Sequence, residues 1–325
     1  MPQPFRHISV SSPGKLVIAG EYAVLYGASA LSLAIDRRAQ CTLKISEEGL
    51  WQLSGSPPFW NESVSLQELL SESRSDIASA VLRWFSQRTS LPESAVLHMD
   101  TTGFYFEQDK LGLGSSASVL VNLYASLATL TELPMNLEDL LDVYRATDQH
   151  GSGVDVLTCY YGGLIHLKRQ TTSKEEFPSG IYLDFYSIGF STETRTMVDS
   201  FRIAFEDLPV SLQESFIAAA NMVADSLNDR LSFFTALQHF VHMYREVDRE
   251  ARLAIWSKQH EAMQRLATKV GALYKPSGAG GGDVGVAIAT ERQNLAALRR
   301  EVADLPVTLL DLQKDINGVR IEKTA

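Results

Sequence analysis

The feature that most constrains this chain is a run of small residues, Gly112-Leu113-Gly114-Ser115-Ser116-Ala117-Ser118. Strand-like apolar segments at residues 96–99 and 104–106 precede the run, and a segment with helical periodicity, residues 119–130, follows it. A helix start has several unpaired N–H donors and about half a positive charge. The order strand, glycine loop, helix therefore predicts an anion cradle, with an ordinary helix N-cap and tight turn as the alternative.

The cradle fits neither common nucleotide-binding fingerprint. No Gly-Lys-Ser/Thr sequence follows it, which excludes a Walker-type loop, and its glycine spacing does not match the dinucleotide motif.

A second glycine-rich turn, Ser277-Gly278-Ala279-Gly280-Gly281-Gly282-Asp283, lies far along the chain between two strand-like segments. So many glycines are costly to order, and a hairpin turn needs only about two residues. Close approach of the backbone to a ligand explains the excess. A surface hairpin loop is the alternative.

Two charged residues lie in apolar surroundings. Lys15 begins the apolar strand at residues 16–19, and Asp155 lies between two valines after the break Gly151-Ser152-Gly153. An aspartate held near a lysine can polarise a substrate hydroxyl, as phosphoryl transfer requires. The alternatives are an edge lysine that blunts a strand and an aspartate that caps a helix.

Composition narrows the function further. With 325 residues, two packed lobes are expected, and a net charge of -10 argues against broad nucleic-acid binding. Cys41 and Cys159 lie in apolar stretches, as buried thiols of a protein in the reducing cytoplasm do. The N-terminus has no apolar signal core, and no apolar run reaches the roughly 18 residues of a membrane span. We therefore expect a soluble cytoplasmic protein with no nucleic-acid or membrane partner.

As a set, three segments resemble the ordered motifs of the GHMP kinases: Pro13-Gly14-Lys15 with residues 20–24, the cradle at 112–118, and the turn at 278–283. The resemblance implies an α+β, two-lobed GHMP kinase fold with the active site in the cleft between the lobes. The N-terminal, ATP-binding lobe is expected to be ribosomal protein S5 domain 2-like and to span residues 1–180. The C-terminal lobe, ferredoxin-like, is expected at 181–325.

The same resemblance implies roles for individual residues. Lys15 and Asp155 form the catalytic pair, and the cofactors are ATP and Mg²⁺, with Ser116 as a metal ligand. Residues expected to bind ATP and its phosphates are Lys110, Gly112, Leu113, Gly114, Ser115, Ser116, Ala117 and Ser118. Residues expected to bind the acceptor substrate are Tyr22, Ser152, Arg195, Ser277, Gly278, Gly280, Gly281 and Asp283.

Several details resemble the phosphomevalonate kinases within this superfamily. They are Tyr22, where mevalonate kinases usually carry His, Lys110-Leu111 before the cradle, Asp283, and a Ser/Thr-rich loop at 191–196. We therefore expect ATP-dependent phosphorylation of 5-phosphomevalonate to 5-diphosphomevalonate. The partner is a small phosphorylated or carboxylate substrate, and the protein a monomer or homodimer. Mevalonate kinase, another GHMP small-molecule kinase and a ligand-binding regulator that kept the fold are the alternatives.

One departure from the mevalonate kinase pattern concerns the metal. Those enzymes carry a Glu that binds Mg²⁺ at the position where this chain has Tyr144. Asp148 is the nearest acidic substitute, with a solvated last-turn residue as the other interpretation. The seven histidines, His260 among them, show no metal-ligand spacing and are expected on the surface or in packing.

Overall fold

A computed structural model describes residues 7–106, 109–147, 151–189 and 194–324. The strands are β1 (His7–Ala19), β2 (Ser29–Ile45), β3 (Trp51–Ser56), β4 (Trp60–Val64), β5 (Ala95–Asp100), β6 (Tyr105–Phe106), β7 (Asp109–Lys110), β8 (Leu164–Lys168), β9 (Thr171–Glu175), β10 (Tyr182–Ser187), β11 (Leu273–Pro276), β12 (Val284–Ala289), β13 (Thr308–Leu310) and β14 (Arg320–Thr324). The α-helices are α1 (Leu66–Leu69), α2 (Ile77–Ser86), α3 (Ser115–Leu130), α4 (Leu137–Ala146), α5 (Val154–Tyr161), α6 (Thr194–Glu206), α7 (Val210–Asp225), α8 (Arg230–Ala251), α9 (Lys258–Lys269) and α10 (Arg292–Glu301).

The first sheet is built around the long hairpin of β1 and β2. Its strand order is β14-β1-β2-β5-β3-β4, and β8 and then β9 extend it from the other half of β2. The register of β1 on β2 shifts between Pro13 and Gly14 and again between Val17 and Ala19. Such irregularities bend a strand and redirect its side chains. Lys15 lies between the two shifts.

The second sheet has the order β11-β12-β10-β13, with antiparallel neighbours. One continuous apolar core joins it to helices α6–α10 and to β1 and β2 of the first sheet, through buried residues such as Leu16, Phe185 and Phe240. A separate core under the first sheet contains Trp51 and Phe85. Because the larger core crosses from one sheet to the other, the two halves are packed together.

The structure confirms the expected mixed α+β fold and corrects one predicted element. Apolar residues recur with helical spacing over residues 65–87 and predict one helix there. That prediction was wrong, because α1 ends at Leu69 and α2 begins at Ile77. Ser65 and Asp76 each accept an N–H hydrogen bond as N-caps, so the segment contains two helix starts. Arg74 fixes the connection by hydrogen bonds to Glu62 and Asp76.

Some predicted features lie partly or wholly outside the described residues. Asp148 does, and so do positions 191–193 of the Ser/Thr-rich segment, whereas Arg195 lies in the first turn of α6. The division into two lobes at residue 180 stays a prediction. Strand β14, which lies in the expected C-terminal lobe, pairs with β1 of the first sheet. Among the described helices, none combines the length and apolar character needed to cross a bilayer.

Candidate active site

A cavity of about 340 Å³ is lined by residues from all three segments that the sequence singled out. Its wall also contains residues that the motifs did not predict, such as Glu21, Ser75, Tyr144 and Thr147. The predicted site residues that line it are Lys15, Tyr22, Gly112, Ser152, Asp155, Arg195, Ser277, Gly278 and Asp283.

Lys15 of β1 connects this cavity to the start of α3, because it lines the cavity and also packs on the helix N-cap. Gly114 is the N-cap, with φ 82°, and makes no side-chain cap hydrogen bond. A Cβ built on Gly114 would lie 2.8 Å from Lys15 Cγ, so only glycine allows the lysine to cross the helix start. The Lys15 N–H donates to Leu113 O at 2.8 Å. The lysine and the unpaired N–H groups of a helix start therefore lie together, as anion binding requires.

The serines of the cradle have different surroundings. Ser115 is buried, whereas Ser116 is exposed in the first turn of α3, where its hydroxyl can meet a ligand. Ser118 is fully buried, and its Oγ donates to Ser12 O at 2.8 Å. That hydroxyl joins α3 to β1, so we propose a structural role for it instead of phosphate contact. Lys110, also predicted to bind phosphate, is exposed on β7 and does not line the cavity.

Helix α5 carries Asp155 into the cavity in its first turn. The turn before it packs on Tyr144 of α4, because a Cβ on Gly151 would lie 2.5 Å from the Tyr144 phenol oxygen. Ser152 Oγ accepts a hydrogen bond from Val154 N at 3.3 Å. Burial raises the pKa of the Cys159 thiol, the Asp155 charge raises it further, and Lys15 lowers it. The two residues of the expected catalytic pair thus have opposite electrostatic effects on one buried neighbour.

Tyr22 connects the first segment to the third. Its backbone has φ 58°, and its hydroxyl donates to Ala279 O at 2.6 Å. The ring stacks on Phe201 of α6, with centroids 4.1 Å apart. Burial raises the pKa of Tyr22 well above its ordinary value, so the phenol stays protonated. The residue predicted to bind substrate therefore also holds the wall of the cavity in place.

A buried ion pair that the sequence analysis missed lies beside Tyr22. Glu21 Oε1 and Lys275 Nζ are hydrogen-bonded, and both side chains are almost completely inaccessible to solvent. Burial raises the pKa of Glu21, and the charge of Lys275 opposes this shift. Burial also lowers the pKa of Lys275, against the effect of Glu21. A lysine within the short apolar strand β11 was the available signal, but its partner could not be identified from sequence.

The glycine-rich turn of the third segment, residues 277–283 (the third turn), is held in place by several contacts. Ser277 Oγ donates to Val17 O at 2.9 Å, and Gly281 N donates to Ile255 O at 2.7 Å. A Cβ on Gly280 would lie 2.3 Å from Ile255 Cγ2, which accounts for that glycine by packing. Asp283 packs against Gly112, where a Cβ would lie 2.4 Å from the Asp283 Cγ. The cradle at residues 112–118 and the third turn therefore touch directly.

The side chains around the cavity suit a metal that is bound mainly by a nucleotide. Within the described ranges, no cluster of three or more His, Cys, Asp or Glu side chains is arranged to hold a metal ion. Ser116 supplies a hydroxyl, and Asp155 and Asp283 supply carboxylates at the cavity. Mg²⁺ is typically bound by one or two protein oxygens together with phosphate oxygens and water. This donor set fits Mg²⁺ bound in that way.

Comparison with known proteins gives the same picture. Residues 78–163 match the family model of the GHMP kinases N terminal domain. The chain is 24% identical over 336 aligned residues to a phosphomevalonate kinase of Saccharolobus solfataricus, with 97% of this chain and 99% of the relative covered. It is 25% identical over 332 aligned residues to a mevalonate kinase of Thermococcus onnurineus, with 97% and 98% covered.

The fold agrees as well. A solved structure of Streptococcus pneumoniae phosphomevalonate kinase, in complex with phosphomevalonate and AMPPNP, superimposes with a TM-score of 0.78 at 19% identity. The match covers 94% of this chain and 99% of that one. The matched N-terminal segment, the full-length relatives and the shared fold together show that the chain is similar to small-molecule kinases of the GHMP kinase family.

Proposed function

We propose that this kinase transfers the terminal phosphoryl group of ATP to 5-phosphomevalonate, giving 5-diphosphomevalonate and ADP. The observation that carries the proposal is that Lys15, Asp155 and Arg195 line one cavity together with Gly112 of the cradle. Such a site needs an anion cradle, a cation at the transferred group, a carboxylate at the attacking oxygen and a second cation for the acceptor. The full-length similarity to a phosphomevalonate kinase supports the choice of acceptor.

The nucleotide half of the site is assigned to the start of α3. The N–H groups of its first turn and the hydroxyls of Ser115 and Ser116 are proposed to bind the phosphates, which the uncapped start of α3 supports. Ser116 is the proposed protein ligand of Mg²⁺, which neutralises phosphate charge when bound. Lys110, exposed on the nearby β7, is proposed to reach a phosphate from outside the cavity.

In the acceptor half, Lys15 stabilises negative charge on the reacting groups and Arg195 binds an anionic end of the acceptor. The attacking atom of phosphomevalonate is a phosphate oxygen. Because the second pKa of a phosphate monoester is about 6, that oxygen is ionised at neutral pH. Asp155 therefore positions the oxygen and has no proton to remove.

Mevalonate kinase is the second candidate function, because the mevalonate kinase of Thermococcus onnurineus is 25% identical over 332 residues, against 24% over 336 for the phosphomevalonate kinase. With mevalonate, the attacking atom is a hydroxyl oxygen, and Asp155 would accept its proton. The two functions thus differ in the chemistry required of one residue.

An acceptor panel tests the proposal. Purified protein with ATP and Mg²⁺ is expected to release ADP with 5-phosphomevalonate and only at background rate with mevalonate. Asp155→Asn is expected to lose about a hundredfold or more in kcat, as removal of a positioned catalytic group does. Asp304→Asn, at an exposed position away from the cavity, is the matched control and should keep wild-type activity.

Turnover with mevalonate and none with 5-phosphomevalonate would overturn the proposed acceptor. Wild-type rates in Asp155→Asn would overturn the assignment of the catalytic centre, whichever acceptor is used.

A further inference from the structure

The buried imidazole of His260, at the start of α9, bonds to the third turn. His260 has no accessible surface, and its Nε2 lies 3.0 Å from Gly282 O. Its Nδ1 lies 2.9 Å from the hydroxyl oxygen of Tyr274, which is also fully buried. Both ring nitrogens are therefore in hydrogen bonds inside the protein.

The partners define where the proton of this imidazole resides. A carbonyl oxygen only accepts hydrogen bonds, so Nε2 carries the hydrogen and donates to Gly282 O. Nδ1 then accepts from the Tyr274 hydroxyl. Burial lowers the pKa of His260 to about 4, and the nearby charge of Lys275 acts in the same direction. At neutral pH the ring is uncharged, and its one N–H is committed to the third turn.

The bonded carbonyl belongs to the residue before Asp283. Gly282 is buried, and Asp283 both lines the cavity and packs on Gly112 of the cradle. Tyr22 holds the same turn at Ala279, four residues earlier than Asp283. Gly281 N also donates to Ile255 O, so several bonds hold the turn, and the bond from His260 reaches the residue next to the one that contacts the cradle.

We propose that His260 is a positioning residue for phosphoryl transfer, which holds the Gly282–Asp283 end of the third turn against the cradle. This inference rests on the proposed kinase function but applies to either acceptor. A reacting geometry displaced by about 1 Å can lower the rate about a hundredfold, so a small shift of this turn is expected to be measurable in turnover.

The test uses two substitutions that remove the imidazole equally but differ in the bond they keep. In His260→Gln the side-chain amide reaches the position of Nε2 and can donate to Gly282 O, whereas in His260→Asn it reaches only the position of Nδ1. Full-length His260→Asn is expected to lose about tenfold or more in kcat/KM, and His260→Gln to stay within about threefold of wild type. Melting temperatures of both variants report the shared loss of packing.

A second measurement is independent of the acceptor. Backbone hydrogen–deuterium exchange in peptides covering residues 277–284 should be faster in His260→Asn than in His260→Gln and wild type. Tyr274→Phe, which removes only the hydrogen bond to Nδ1, provides a third variant if His260→Asn does not fold. It is expected to give a smaller loss of kcat/KM and a smaller increase in exchange.

The outcomes separate this inference from the proposed function. The activity of each variant is measured with the acceptor that the wild-type protein phosphorylates. If that acceptor is not 5-phosphomevalonate, the proposed acceptor is wrong, but the comparison of the His260 variants still tests this inference. Equal losses of activity and equal exchange in the Asn and Gln variants would show a merely structural histidine and overturn the inference. Wild-type kcat/KM and exchange in His260→Asn or, if that variant does not fold, in Tyr274→Phe would overturn it too.

Discussion

Glu21 and Lys275 place two opposite charges where water does not reach them. Each is expensive to bury alone, and their attraction compensates for this cost only while both are present. Lys275 Nζ also lies 3.4 Å from Val17 O, so the lysine contacts β1 directly as well as Glu21 just after it. Because Glu21 also lines the cavity, the pair joins the floor of the site to β11, the strand that leads into the third turn.

Removing one partner should therefore cost more than removing both. We expect Glu21→Gln and Lys275→Met each to lower the free energy of unfolding by about 3–5 kcal/mol, because each leaves one buried charge uncompensated. The double variant should recover a large part of the loss. Chemical unfolding followed by circular dichroism measures the three values, and losses that simply add would contradict a coupled pair.

Single residues were predictable where their own surroundings were unusual. Lys15 and Asp155 were singled out because each is a charge in an apolar context, and the structure places both at one cavity. The sequence around His260 was not unusual, since a histidine on an amphipathic helix can lie either on the surface or in the core. Its importance comes from a carbonyl 22 positions away along the chain. A contact between residues so far apart in the sequence cannot be recognised from the local sequence pattern.

The helices around the glycine-rich segments begin differently from most of the others. In α1, α2, α4, α8 and α9 a side-chain oxygen accepts a backbone N–H at the N-cap. In α3 and α5, which carry the cradle and Asp155, the N-cap is a left-handed glycine that makes no side-chain cap bond. Helix α3 thus keeps its first N–H groups free of a side-chain cap and available for a ligand, whereas the first N–H of α5 donates to Ser152 Oγ.

Gly114→Ala tests the need for glycine at the start of α3. It imposes a left-handed alanine and brings a Cβ within 2.8 Å of Lys15 Cγ. Gly49→Ala is a matched control, since Gly49 has a φ of 76° but nothing within 4 Å of the added Cβ. Both variants should lose about 1–2 kcal/mol of stability from the backbone.

Only Gly114→Ala should also lower kcat/KM for ATP, by about tenfold or more, because it displaces the lysine. Steady-state kinetics with varied ATP measures this difference. Equal kcat/KM in the two variants would show that the close approach of Lys15 to the helix start does not matter.

Elements were predicted well where periodicity was long and poorly where short signals competed. The apolar stripe from Leu212 to Leu227 and the helical pattern at about 231–248 predict two helices, and α7 and α8 lie there. The helix predicted over residues 65–87 failed because the apolar spacing continued through a break set by Asp76 and Arg74. Helix α6 was missed because its start is rich in Ser and Thr, which favour turns, while packing of Phe201 and Phe205 stabilises the helix.

At the scale of the whole molecule, the end of the described chain is tied to its beginning. Arg38 of β2 donates to Ser11 O and Gly318 O, at 2.8 and 2.7 Å, and forms an ion pair with Asp315. It therefore binds β1 and the segment leading into β14 at the same time. Such pairing was beyond sequence analysis, which divided the chain at residue 180 without assigning any later strand to the first sheet.

Arg38→Lys keeps the charge but loses the planar group that reaches several acceptors at once. We expect the free energy of unfolding to fall by about 1–3 kcal/mol, because buried acceptors lose their donors. Arg300→Lys, on the exposed side of α10, should leave it unchanged. Denaturant midpoints of the two variants make the comparison, and equal midpoints would show that the Arg38 hydrogen bonds add no stability.

The pairing of β14 with β1 also has a consequence for biosynthesis. Residues 7–11 are made roughly 300 positions ahead of their partners at 320–324. Until then, one edge of the strand that carries Lys15 has no neighbour and can pair with another nascent chain. Translation that stops before Arg320 would therefore yield products prone to aggregation, and chaperone demand should fall once residues 320–324 are made.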